Sequence, residues 1–349
     1  MSRAVKPSNL FSVALVGGAS LKGREVREVL GERNFPSVEI KLLDDEEALG
    51  QLEQVNDELT FVQGVLPEHL EGVDFAFLTA EQPFIEKVWT NVRGSGSEII
   101  DLSYALENNT DVVLRAPWFE REVGRTHEVE LKSSPVVVAH PAAVVLALLL
   151  WRLQKAVAVE LASAVICQPA SEYGRRGMDE LHEQTVSLLN LQPMPTSYFG
   201  TQVAFNLFIR RPVEAAHPTL AESEARILRH FRAIVQDAVA APALLLQQAP
   251  VFHGYAIAIF VKTAAGTTPG KLEAALAGPH VILASGPEEF PNYVNVAGSS
   301  EIHVSILSDG AGGNGFWLFA VCDNLRISAI QAVECAEGMV HTRPRGELQ

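Results

Sequence analysis

Two groups of residues near the start of the chain have the types and spacing needed to hold a phosphorylated ligand. The first is Gly17-Gly18-Ala19-Ser20-Leu21-Lys22-Gly23, which follows the β-branched run SVALVG at 12–17. Glycines directly after a strand let the backbone approach a pyrophosphate, and the amides that open the following helix meet its charge. Gly17, Ser20, Leu21 and Gly23 are therefore candidate cofactor-binding residues, with Ser20 standing where a G-x-x-G-x-x-G pattern would carry its middle glycine. The second is Asp44, at the end of the next apolar run, where a carboxylate would accept ribose hydroxyls. The acidic run Asp44-Asp45-Glu46-Glu47 would repel a 2′-phosphate, which favours NAD over NADP. A strand, tight turn and helix with two glycines also occurs in α/β domains that bind nothing, and that reading stands beside the first.

These residues need elements to position them. After Leu21 the spacing turns helical, with Val26 and Leu30 on one face, and short apolar runs follow at 38–44, 74–79, 98–102 and 135–139. Strands alternating with helical segments predict a parallel, doubly wound, Rossmann-like sheet. Beyond His140 comes a long apolar helix, and then strands that alternate apolar and polar, at 249–263 and 299–307. Alternation predicts a sheet with one wet face. The segment 219–241 has helical periodicity, with Ile227, Phe231 and Ile234 on one stripe, and a last helix is expected from Asn324 to about residue 340. The Gly-rich stretch 308–315 reads as a hairpin loop.

Length and composition bound the function. With 349 residues, 48% of them hydrophobic, the chain supports two domains. A formal charge of −15 argues against a nucleic-acid partner, because phosphate binding draws on clustered Lys and Arg. The stretch 136–151 is interrupted by His140 and Pro141, leaving it too short to span a bilayer, which needs about 20 apolar residues. The opening residues, with Arg3 and Lys6 before an apolar run, resemble a signal peptide, but Gly17 and Gly18 break that run and mark it as a first strand. Cys167, Cys322 and Cys335 are too few for a disulfide framework, and no spacing suggests a metal site. The cytoplasm is the expected compartment.

Five ordered motifs then resemble the aspartate-semialdehyde dehydrogenase family over nearly the whole chain. They are Arg33-Asn34-Phe35-Pro36, Ile100-Asp101-Leu102-Ser103, Val203-Ala204-Phe205-Asn206, the run Ala249 to Gly254, and Asp323-Asn324-Leu325-Arg326. The tract from Gln184 to Asn206 is more similar to the family's Usg-like paralogues, which depart from its active-site cysteine. The resemblance implies a Rossmann-like domain over 1–138, an α+β dimerisation domain over 139–322, a C-terminal helix over 323–349 returning to the first domain, and a homodimer. It also implies NADP-dependent interconversion of aspartate semialdehyde and aspartyl phosphate through a thioester.

Residue by residue, the same resemblance places changes at the chemical positions. Ala143, in His140-Pro141-Ala142-Ala143, stands at the nucleophilic cysteine, and a methyl group cannot form a thioester. Tyr255 stands at the acid/base histidine, where a phenol with a pKa of about 10 is a poor proton shuttle. Glu107 stands at a phosphate-binding arginine, and Gln248 at the arginine that meets the substrate carboxylate. Its acidic partner falls less securely on His230, and a family lysine on Arg226. Gln168 and Asn324 match the active-site glutamine and the asparagine that meets the nicotinamide amide.

Two groups are candidates to take over the chemistry. Cys167 neighbours Gln168, but adjacent strand residues face opposite sides, so it is expected to point into packing. His253, two residues before Tyr255, is expected to share its face and offers a displaced imidazole. The expectation is a protein inactive in the family reaction, holding a dinucleotide or serving as a scaffold. The alternative is an NAD-dependent oxidoreductase acting by direct hydride transfer, with Tyr255 or His253 taking the proton. Bulky Tyr104, Trp118, Phe119 and Tyr255 are expected where a substrate would otherwise need room.

Overall fold

A computed structural model describes residues 10–55, 58–125, 135–210, 218–310 and 313–342. The basic opening residues Arg3 and Lys6, and two positions of the Gly-rich loop, lie outside these. The chain divides into one unit of residues 1–139 with 328–349 and a second of residues 140–327.

In the first unit the elements are β1 (Phe11–Val16), α1 (Leu21–Glu32), β2 (Ser37–Asp44), β3 (Leu52–Val55), β4 (Glu58–Phe61), β5 (Gln63–Gly64), α2 (Pro67–Leu70), β6 (Phe75–Leu78), α3 (Gln82–Gly94), β7 (Glu98–Asp101), β8 (Val113–Arg115), α4 (Pro117–Glu122) and β9 (Val136–Val138). Seven strands form a parallel sheet in the order β5-β2-β1-β6-β7-β9-β8, while β3 and β4 make a separate hairpin. All four residues of β6 and five of the six in β1 are buried, as expected of strands covered on both faces. Strand order reverses about β1, so the carboxyl ends of β1, β2 and β6 meet at a topological switch point.

The second unit begins with α5 (Pro141–Ala156), β10 (Val159–Gln168) and α6 (Gly174–Leu189). It continues with α7 (Leu220–Val235), β11 (Ala243–Gln248), β12 (Tyr255–Thr263), α8 (Pro269–Leu276), β13 (Val281–Leu283), β14 (Ile302–Ser308) and β15 (Gly315–Cys322). Six strands make a mixed sheet in the order β11-β10-β12-β15-β14-β13. From Tyr255 to Thr263 the odd-numbered residues are all buried, and among the even ones only Ala256 is, which is the period-2 pattern of a sheet with one covered face. The opposite face carries the solvent-exposed Leu161, Leu245, Leu307 and Trp317.

The last helix, α9 (Asn324–Thr342), starts in the second unit and runs on into the first. In the first unit Glu337 pairs with Arg33 at 2.7 Å and Glu334 with Arg121 at 2.8 Å, while Gln331 Oε1 accepts from the Trp118 amide at 3.4 Å. Among the described residues no helix is long and apolar enough to cross a membrane.

Two sequence expectations are corrected. The helical segment 219–241 ends at Val235, because Gln236 and Asp237 take left-handed backbone conformations, and the residues beyond feed strand β11. The single strand expected over 249–263 starts only at Tyr255. Residues 250–254 bend, with Gly254 at φ +86°, where a Cβ would come within 3.2 Å of Cys322 O. That bend also removes the reason for placing His253 on the face of Tyr255, since strand alternation holds only within continuous extended backbone.

Candidate functional site

Within the first unit the glycine turn is built almost wholly from backbone. Gly17 has φ +101°, and a Cβ there would lie 2.2 Å from Ala80 N. A Cβ on Gly23 would lie 2.2 Å from Gly17 O, so α1 can start this close to the strand only with glycine at that position. Ser20 is the N-cap of α1: its Oγ accepts from Gly23 N at 2.9 Å and donates to Thr79 O at 3.0 Å. The missing middle glycine is thus explained as a helix cap, and a serine before helical spacing is a signal legible in sequence. Leu21 follows as the first helical residue.

Asp44 closes the turn from the side. Its Oδ2 accepts from Ala19 N at 2.9 Å and its Oδ1 from Asp45 N at 3.0 Å. Burial pushes its pKa up, opposed by these two backbone donors. Beside the turn, Lys22 Nζ donates to Leu102 O at 2.9 Å and lies over the Tyr104 ring. The Asp101 carboxylate organises the loop after β7 by accepting from Ser103 N, Ser103 Oγ and Leu106 N. Glu107 sits half-buried at the end of this loop, its amide donating to Tyr104 O at 3.3 Å. The turn therefore has features that a dinucleotide site uses: glycine where a side chain would block, a helix start beside it, and a carboxylate at the end of β2.

The second unit holds a side-chain site. Cys167 and Ala256 are register partners on one face, which puts their neighbours Gln168 and Tyr255 on the other. Gln248 pairs with Gln168, and Cys322 with Tyr255. A row Gln248–Gln168–Tyr255–Cys322 thus crosses four adjacent strands at one level. Ala143 lies fully buried in the first turn of α5. His140 is the N-cap of that helix and meets the row: its Nε2 lies 3.3 Å from Tyr255 Oη and 3.9 Å from Glu172 Oε2. Because His140 Nδ1 accepts from Ala142 N at 3.3 Å, the ring proton belongs on Nε2, which donates to the phenol oxygen. The His140 amide in turn donates to His230 Nδ1 at 3.0 Å. Arg226, one turn earlier on α7, is buried on the same helix face.

Asn324 ties this group to the bend before β12. Its Oδ1 accepts from Gly254 N at 2.9 Å, and its Nδ2 donates to Glu172 Oε1 at 2.8 Å and to Ser171 Oγ at 3.1 Å. Sequence reasoning missed Ser171 and Glu172. They lie on a short 3-10 turn, Ala170–Tyr173, held by amide bonds from Ala170 and Ser171 to Val251 O and Phe252 O, and nothing local announces that pairing.

Of the remaining candidates, Cys322 is itself the β15 end of the row. Cys167, on the opposite face, packs with Ala256, Val296 and Val321 and accepts from Gln247 Nε2 at 3.1 Å. Burial pushes the Cys322 and Cys335 thiols up, so both stay protonated. His253 is half-buried, and burial lowers its pKa against the pull of Asp323. Among the described residues no three His, Cys, Asp or Glu side chains are placed to hold a metal.

Comparison with known proteins accounts for both halves. The model described as semialdehyde dehydrogenase, NAD binding domain matches residues 12–127, and the semialdehyde dehydrogenase dimerisation domain matches residues 150–327. A USG-1 protein homolog of Azotobacter vinelandii is 28% identical, over 95% of this chain and 98% of that one. Aspartate-semialdehyde dehydrogenase 2 of Vibrio cholerae is also 28% identical over the same shares, so identity does not separate the two kinds of relative. The structure of aspartate semialdehyde dehydrogenase II from Vibrio cholerae, complexed with ASA, aligns with TM-score 0.79 at 25% identity over 95% of this chain and 98% of that one. With both domains matched in order, this chain belongs to the semialdehyde dehydrogenase family, among relatives named aspartate-semialdehyde dehydrogenase and USG-1 protein homolog.

Proposed function

We propose that this chain is a family member that forms no acyl-enzyme and works instead by holding a dinucleotide and a small ligand. The observation that carries this reading is the buried methyl of Ala143 in the first turn of α5, together with the positions of the chain's three cysteines. Cys167 faces away from the polar row, while Cys322 and Cys335 are buried thiols whose pKa values are pushed up. A thioester needs a thiolate at the reacting carbon, and none of these supplies one. The same direction of change appears at Tyr255 in place of the imidazole, at Glu107 in place of a phosphate-binding cation, and at Gln248 in place of a carboxylate-binding one.

The acidic run 44–47 favours NAD over NADP in the glycine turn. The dimerisation-domain match and the exposed Leu161, Leu245, Leu307 and Trp317 on one sheet face support a homodimer, and the cytoplasm is its proposed compartment. The test has two parts. A thermal-shift titration with NAD and NADP is expected to show saturable stabilisation by NAD, because a ligand that binds only the native state raises the melting temperature. An assay with aspartate semialdehyde, phosphate and NADP is expected to yield no NADPH, and NADPH formation at an enzymatic rate would overturn the reading.

The contact between His140 and Tyr255 favours a second reading. An imidazole Nε2–H donating to the phenol oxygen stabilises phenolate, the form that accepts a proton from a substrate alcohol while hydride passes to the nicotinamide. NAD-dependent oxidation of an alcohol, lost in Tyr255→Phe, would establish it over the first.

A further inference from the structure

Gln168 and Gln248 are register partners in neighbouring parallel strands, so their side chains leave the sheet on the same face. Gln248 Nε2 donates to Gln168 O at 3.1 Å and to Ala249 O at 3.0 Å. Only the nitrogen end of an amide can serve two carbonyl oxygens, so the orientation is settled and Oε1 is turned away from both. That oxygen is enclosed and, among the described residues, has no hydrogen-bond partner. Gln168 Nε2 is in the same condition. Both side chains are essentially inaccessible, at 1% for Gln168 and 0% for Gln248.

Buried polar groups in folded proteins are almost always bonded, so a lone donor and a lone acceptor on paired residues point to a missing partner. A single partner reaching both would supply an acceptor for the Gln168 N–H and a donor for the Gln248 oxygen. A carboxamide does both, through its C=O and its N–H. A carboxylate offers acceptors only, satisfying Gln168 and repelling Gln248 Oε1. From this geometry we infer that Gln168 and Gln248 form a subsite for a neutral carboxamide group on a small ligand. The inference rests on the reading of this unit as a ligand-holding site, and adds the class of group held there. Arg226 is the buried cation on the helix face that packs toward this sheet, so a ligand drawn to it rather than to the two amides would prefer a carboxylate.

Asparagine and aspartate are a near-isosteric pair that differ in the required way, and they serve as the probes. In protein carrying 15N-glutamine, the Gln168 and Gln248 side-chain amide signals are identified by their loss in Gln168→Met and Gln248→Met. Asparagine is expected to shift both signals saturably, with an affinity about tenfold or more above that of aspartate, since the wrong probe leaves an enclosed acceptor unbonded. Gln248→Arg is expected to reverse the preference. Should that variant not fold, Gln168→Met, which leaves the Gln248 bonds in place, is expected to reduce the preference instead. Equal or better binding of aspartate overturns the inference, as does the absence of any change in these signals with either probe, which would mean that enclosed water completes the pair. Neither result bears on acyl chemistry, which the NADPH assay reads separately.

Discussion

The glycine turn of the first unit and the polar row of the second make their sites in opposite ways. Around Gly17 the work is done by backbone: a left-handed glycine, an amide-bonded carboxylate and a serine cap, with the turn's own polar groups largely paired within it. Around Tyr255 it is done by side chains drawn from β10, β11, β12, α5, α7 and α9, and two buried amide ends are left without partners among the described residues. A backbone-built site tolerates change at most side chains but fails if a glycine is replaced. A side-chain site can change its chemistry one residue at a time while the sheet beneath it stays the same. That contrast is how, on the proposed reading, a chain would retain a family's scaffold while Ala143, Tyr255 and Gln248 replace its chemical groups.

The sharpest way to break the comparison is at Gly17. Gly17→Val adds a left-handed strain and a backbone clash together, and is expected to cost about 3 kcal/mol or more, with loss of any NAD-induced thermal shift. Urea midpoints measure the first and the titration the second. An unchanged midpoint would mean that the turn can rearrange and is not the rigid half of the pair.

On the other side, His140→Ala removes both a helix cap and the partner of Tyr255, and about 2 kcal/mol of destabilisation is expected. The informative quantity is the double-mutant cycle with Tyr255→Phe. A coupling of about 1 kcal/mol is expected for groups in direct contact, and a value near zero would show that the row is a set of independent residues.

A smaller effect, about 1 kcal/mol, is expected from Ser20→Ala, which removes the cap of α1. Thr219→Ala at α7 is the matched control, because Thr219 and Glu222 there form a complete reciprocal capping box. If Ser20→Ala costs much less than Thr219→Ala, the serine is held for the ligand rather than for the helix.

The smallest effect is a pH dependence. Burial raises the Asp44 pKa above its unfolded value of 3.8. The folded state therefore favours the protonated form, so this contribution is fully present below about pH 4 and is lost as pH rises through the folded value. Chemical denaturation of native protein and Asp44→Asn across a pH series isolates the group. The native protein's stability relative to the variant is expected to fall as pH rises from about 4. A difference that grows with pH would mean that the Ala19 and Asp45 amides outweigh the burial.

What could be read from the sequence follows its period. The strands at 12–17, 38–44, 74–79 and 98–102 were legible because each is short, apolar and bounded by turn residues, and the parallel sheet followed from their alternation with helices. The helix over 219–241 was too long because Gln236 and Asp237 adopt left-handed backbone, which no hydrophobic pattern marks. Strand β11 was missed because ALLLQQ is a short apolar run, equally compatible with a helix end until β10 pairs with it. At the site, His253 drew attention through its proximity to Tyr255, yet the bend at Gly254 breaks the alternation between them, and His140, 115 residues away, is the imidazole that touches the phenol.

By itself the sequence determined the two-domain α/β pattern, the glycine turn and the residue types available for chemistry, because these are properties of local order and of residue type. A methyl at 143 excludes a thioester at that position in any fold. Only the tertiary structure decided which side chains meet: that Glu172 and Ser171 reach Asn324 across 152 and 153 residues, and that Gln168 and Gln248 stand in register with a donor and an acceptor left over. Such pairings are set by strand register and helix packing over long sequence separations, and a linear pattern of apolar and polar residues carries no record of them.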